Sequence, residues 1–141
     1  MPRIHVKEQS LYPFTTTITV RTTDINYGGH LGNDRLLSLI HEARVAFLAH
    51  HGFSEINCGG VALIMADTAI VYKSEAFAGD VLNIEVAAGE PVRCGFRLWY
   101  RVTRSADNAV IALLENGMIC FDYRTRKIQP LPDAVRIFCT I

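Results

Sequence analysis

Asp24, His30 and Asn33 bring a carboxylate, an imidazole and a carboxamide together within ten residues. An aspartate is ionised at neutral pH without any tuning, so Asp24 can attack a carbonyl or activate water. It can equally close an Asx turn. His30 can orient a substrate, hydrogen-bond a carbonyl or share base duty. It can also be a loop histidine bonded to backbone. Asn33 precedes Asp34 and a long apolar run, the place of an N-cap, and could also hold the loop near Asp24. The first amides of a helix have no internal partner and carry the positive end of its dipole. Leu31, Gly32 and Asn33 lie at such a start, where amides can receive a developing oxyanion.

Other charged residues invite plainer readings. Glu42 and Arg44 are two positions apart inside the helix and share no face. Glu42 is read as structural or interfacial. Asp67 breaks an apolar strand and is read as a paired acid at a subunit interface. Arg93, Arg97 and Arg101 alternate along one strand face. Pairing with Glu85 and Glu115 across strands is preferred for them over a seat for phosphates. Arg124, Arg126 and Lys127, at a strand end, are equally eligible for phosphates.

The elements that position these groups follow from periodicity. Phe14–Arg21 alternates threonine with Ile18 and Val20, a half-buried strand. Three glycines and two Asx residues between Thr23 and Asn33 make a shaped loop. A helix over 34–51 follows, with apolar residues on most of its circumference, so it is expected to be enclosed on most sides. Gly52 stops it. Val61–Lys73, Asp80–Ala88, Val92–Arg104 and Ala109–Tyr123 read as strands, and Pro132 opens a short helix near Asp133–Phe138. In Val92–Arg104, Cys94, Phe96, Leu98, Tyr100 and Val102 take one side, and Arg93, Arg97, Trp99 and Arg101 the other. Sequential strands after one buried helix give an α+β fold: a five-stranded antiparallel sheet wrapped around one long central helix.

The composition bounds the function. The chain has 141 residues, 50% of them hydrophobic and 20% charged, which excludes intrinsic disorder. One domain over 1–141 is expected, large enough to bury about 70% of its unfolded surface. Fourteen basic and fourteen acidic side chains cancel, which argues against nucleic-acid or anionic-membrane binding. No apolar run approaches the about 20 residues of a spanning helix, and no signal peptide is read. Four scattered cysteines suggest reduced thiols and a cytoplasmic protein. Cysteine and histidine spacings suit no zinc site, and no dinucleotide fingerprint appears, so no metal or cofactor is expected.

Three stretches carry a resemblance: Asp24-Ile-Asn-Tyr-Gly-Gly-His-Leu-Gly-Asn33, His41-Glu-Ala-Arg44 and Tyr72-Lys-Ser-Glu-Ala-Phe-Ala-Gly-Asp80. In order and spacing, over about residues 15–125, the chain resembles the hotdog-fold acyl-CoA thioesterases of the 4-hydroxybenzoyl-CoA thioesterase-like superfamily. It departs from them at Glu75, where many members carry proline, and in a loop two residues longer than one common form. The resemblance implies hydrolysis of an acyl-CoA or acyl-carrier-protein thioester. It implies Asp24 as base or nucleophile and an oxyanion amide near Leu31 or Gly32. It also implies subunits joined edge to edge with sites between them, as a homodimer or a dimer of dimers. A long apolar strand such as Val61–Val71 independently needs an edge partner. Two other functions remain open. One is a hotdog hydratase, whose Asp-x-Asn-Pro-x-His motif Asp24-Ile-Asn26…His30 nearly matches. The other is a non-catalytic acyl-CoA-binding module.

Overall fold

The strongest alternation in the sequence lies at the centre of the sheet. The computed structural model describes residues 1–139. Its strands are β1 (Phe14–Thr19), β2 (Ala62–Tyr72), β3 (Val81–Val92), β4 (Gly95–Arg104), β5 (Val110–Asp122) and β6 (Lys127–Ile128). All pairings are antiparallel, in the order β1-β3-β4-β5-β2, and β6 adds a short ladder to the end of β5. The sheet therefore has six strands, not five. The sixth is only Lys127–Ile128, too short to leave a periodic signal.

Helix α1 (Asn33–His50) packs on one face of the sheet. Its buried residues Leu36, Leu39, Ile40, Ala43, Phe47 and Leu48 recur at three- and four-residue steps, the stripe of an amphipathic helix. They meet Ile84 and Val86 of β3, Leu98 and Tyr100 of β4, and Leu114 and Met118 of β5 in one core. Burying a side chain of this size contributes about 1.5–3 kcal/mol. Enclosure is less complete than expected, because Leu37 and Val45 stay exposed. Arg44 is 4% exposed and donates to Asn116 Oδ1 at 3.2 Å, a polar spot inside the core.

Other boundaries shift for local reasons. Gly32, not Asn33, is the N-cap of α1, and no side chain caps it. β3 runs on through Gly89 and Pro91 to Val92, and Val92 pairs with Gly95, so the expected start of the next strand is a hairpin turn. Helix α2 (Asp133–Phe138) matches its expected place.

The outer face of the sheet is laced rather than bare. Arg97 Nε donates to Glu115 and Arg101 Nε to Glu85, each at 2.8 Å, as the cross-strand reading of these arginines holds. Asp67 pairs with Arg97 at 2.8 Å within its own subunit. Trp99 is buried on this face with Tyr12 and Ala87, beneath the segment that precedes β1.

Candidate active site

The site begins with a loop that folds back on itself. After β1 the chain makes one 3-10 turn, Thr22–Asp24. The Asn26 amide then donates to the His30 carbonyl at 2.9 Å, and Asn26 Oδ1 accepts from the Gly28 amide at 2.9 Å. Gly29 closes this turn at φ +84°, a conformation open to glycine at little cost. The loop is stitched to its surroundings at its end. The Leu31 amide donates to the Ala76 carbonyl at 2.7 Å, and the Gly32 amide donates to the Asp24 carbonyl at 3.0 Å.

The Leu31 and Gly32 amides, the expected oxyanion donors, therefore both donate to backbone carbonyls. Among the described residues, the amides without an acceptor at the helix start are those of Asn33, Asp34 and Arg35. Leu36 is the first to bond back, to the Gly32 carbonyl at 3.0 Å. Asn33 therefore matters through its backbone rather than as a side-chain cap. Its carbonyl also accepts from the Tyr72 hydroxyl at 3.0 Å, which ties the end of β2 to the first turn of α1.

A cavity of about 500 Å³ opens here. The loop supplies one wall through Asn26, Tyr27 and His30. The first turn of α1 supplies another through Asn33 and Leu36. The β2–β3 connection supplies the third through Tyr72, Lys73 and Glu75, and Ile111 adds an apolar surface.

Asp24 does not line this cavity. It is 0% exposed, and Arg21 holds both its oxygens. The Arg21 amide donates to Oδ2 at 2.8 Å, its Nε to Oδ2 at 3.2 Å, and its Nη2 to Oδ1 at 3.1 Å. The Arg21 hydrogen bonds hold the Asp24 carboxyl below the usual aspartate range, against the opposing pull of burial. Asp24, expected as base or nucleophile, is thus enclosed and paired with Arg21 at the head of the loop.

His30 does reach the cavity. Its Nδ1 lies 3.1 Å from the Leu31 carbonyl, which can only accept, so Nδ1 carries the proton and donates. Nε2 is then the basic nitrogen, and Glu75 Oε1 stands 4.0 Å from it. Sequence reasoning missed Glu75 and Asn26. The Asn-Tyr-Gly-Gly run does signal an Asx-type turn at Asn26. Nothing local signals Glu75, which meets His30 across 45 positions.

Other candidates fall away on geometry. Burial pushes the Cys58 and Cys139 thiols up to about 12 and Cys120 up to about 11, which suppresses the nucleophilic thiolate. Glu42 is exposed on α1 and outside the cavity. Arg124, Arg126 and Lys127 follow the far end of β5, whereas the cavity meets β5 near its start at Ile111. Among the described residues, no three histidine, cysteine or acidic side chains converge where they could share a metal ion. None of the described helices is long and apolar enough to cross a membrane.

Comparison with known proteins identifies the family of the chain. Residues 20–138 match the model of the thioesterase-like superfamily. A 1,4-dihydroxy-2-naphthoyl-CoA hydrolase of Synechococcus elongatus is 31% identical over 123 residues, covering 83% of this chain and 88% of that protein. The crystal structure of a 1,4-dihydroxy-2-naphthoyl-CoA thioesterase from Synechocystis superposes with a TM-score of 0.81 at 22% identity, covering 90% of this chain and 95% of that one. A gentisyl-coenzyme A thioesterase superposes with a TM-score of 0.77 at 19% identity, covering 88% and 98%. With its antiparallel sheet wrapped on one helix and its family match over most of its length, the chain belongs to the thioesterase-like superfamily and is a hotdog-fold thioester hydrolase.

Proposed function

We propose that the protein hydrolyses an acyl-CoA thioester in the cavity at the start of α1, with His30 as general base. The observation that carries this reading is the placement of His30: Nδ1 is committed to the Leu31 carbonyl, and Nε2 is left basic inside a cavity edged by the helix start. The Nε2 lone pair takes a proton from water as the water oxygen attacks the thioester carbon. The carbonyl oxygen becomes an oxyanion, which the amides at Asn33 and Asp34 receive at the positive end of the helix. Collapse breaks the carbon–sulfur bond, and His30 returns the proton to the departing thiolate. Asp24 acts as a positioning residue, because its carbonyl and carboxylate fix the two ends of the loop.

For the acyl group we favour a hydroxylated aromatic acid carried on CoA rather than on acyl carrier protein. The named substrate of the 31% identical relative supports this choice. Tyr27, Tyr72, Leu36 and Ile111 supply aromatic and apolar lining for such a ring. A homodimer or dimer of dimers belongs to the same reading, with β2 as the joining edge. β2 closes one side of the sheet, Met65 on it is exposed, and Leu37 and Val45 stand uncovered on α1. Four unpaired cysteines support a cytoplasmic location.

A three-way assay tests the function. Free-thiol release from aromatic and aliphatic acyl-CoAs is the expected result. Loss of enoyl absorbance would favour the hydratase, and binding without turnover the acyl-CoA-binding module. Light scattering at micromolar concentration tests the assembly, and a monomer would contradict it.

A further inference from the structure

We propose that Glu75 is a catalytic residue, the second acceptor that holds the hydrolytic water against His30. The inference rests on the hydrolase reading above.

Glu75 Oε1 and His30 Nε2 are 4.0 Å apart, with the two side chains 64% and 33% exposed. That separation is too long for a direct hydrogen bond. It is close to the spacing of two acceptors that share one water. Each would accept one O–H at about 2.8 Å, which sets the acceptors about 4.5 Å apart. The tautomer fixed by the Leu31 carbonyl makes Nε2 an acceptor, so both groups offer lone pairs to the same point. A water held by both its hydrogens turns its own lone pairs outward, as attack on a carbonyl carbon requires.

The charge matters at a later moment. While His30 is neutral, the Glu75 carboxylate gains little from it. When Nε2 takes the proton, an imidazolium and a carboxylate face each other at close range. The attraction exists mainly in the transition state and the intermediate, so it raises turnover more than binding. The atoms balance without any added reagent. The water oxygen bonds to the acyl carbon, one of its protons goes to Nε2, and the carbonyl electron pair moves to oxygen. The carbon–sulfur bond then breaks, and the proton on Nε2 leaves with the thiolate. Glu75 itself is unchanged throughout.

Glu75 is also free for this role. Among the described residues, its carboxylate makes no hydrogen bond, and His30 is its only partner within ion-pair distance. Its fold contact runs through its backbone, whose carbonyl accepts from Arg104 Nη1 at 2.9 Å. Side-chain substitutions therefore leave the structure standing.

The test uses the full-length protein, an aromatic acyl-CoA and free-thiol detection. Glu75→Ala should lower kcat by about 10- to 100-fold, the loss of a hydrogen bond to a charged group, with KM and melting temperature unchanged. Glu75→Gln keeps one acceptor oxygen and should recover part of the loss. Raising the salt concentration should narrow the gap between wild type and Glu75→Gln, because an exposed charge pair is screened. In a His30→Gln background, Glu75→Ala should cost nothing further. An unchanged kcat in Glu75→Ala overturns the role of Glu75 and leaves the hydrolase reading intact. So does a rise in KM with kcat held, or an equal loss in the His30→Gln background. A wild-type protein that releases thiol from no acyl-CoA overturns the hydrolase reading itself.

Discussion

Arg21 and Asp24 grip one another across a single 3-10 turn, with three donors from one arginine on the two oxygens of one aspartate. The arginine side chain is 66% exposed and the aspartate wholly buried. The pair works as a clasp on the loop that carries His30, since the Asp24 carbonyl also receives the Gly32 amide at the start of α1. A carboxylate at the head of a catalytic loop reads as a reagent in sequence. In the folded chain Arg21 holds it on both oxygens.

Asp24→Asn should therefore cost stability first. Asparagine keeps one acceptor oxygen but turns an amide group toward Arg21 donors. Leaving such a buried group poorly paired costs about 1–3 kcal/mol. At about 3–5 °C per kcal/mol for a chain of this length, the melting temperature should fall by several degrees. Turnover per folded molecule should stay well above the about 10²–10⁴-fold loss that follows removal of a base. A loss of that size at an unchanged melting temperature would return Asp24 to the reacting atoms.

The same clasp shapes stability in acid. Arg21 depresses the folded-state pKa of Asp24, so its contribution is present above the unfolded value of about 4. It fades as pH falls through the lower folded value. Asp67, held low by its hydrogen bonds to Arg97, contributes in the same direction. Urea unfolding from pH 6 downward should show wild-type stability falling on the acid side, with a shallower slope in Asp24→Asn. Equal slopes would mean that the pairing carries no net stability.

Gly29 supplies a prediction about aim. At φ +84° an L-residue is strained, and a Cβ there would meet nothing within 4 Å, so the cost is in the backbone alone. Gly29→Ala should lower stability by about 1 kcal/mol. Because His30 is the next residue, kcat should fall more than stability alone explains. A normal kcat would mean that the turn reforms around alanine.

What the sequence reveals depends on the range of the interaction. The inward row Phe96, Leu98, Tyr100 and Val102 is a local periodicity and appears as read, while Cys94 falls in the hairpin turn and α1 buries a stripe rather than most of its circumference. The cluster of glycines before Asn33 correctly marks a shaped loop. The reach of each polar group is not local. The Leu31 amide is consumed by Ala76, far along the chain. His30 and Glu75 meet only because the loop and the β2–β3 connection fold against each other. Arg21 was a usable signal, since a basic residue three positions before an aspartate pairs readily across one tight turn. Trp99 faces outward by alternation yet is buried, because the segment before β1 lies over it.

The central claim is that His30 moves the proton. His30→Gln keeps a polar side chain of similar reach and removes the base. The measurement is single-turnover thiol release from an aromatic acyl-CoA by wild type and variant, alongside melting temperature and acyl-CoA affinity. The account predicts a rate lower by about 10²–10⁴-fold with affinity and melting temperature unchanged. A folded His30→Gln protein that cleaves at the wild-type rate would contradict it.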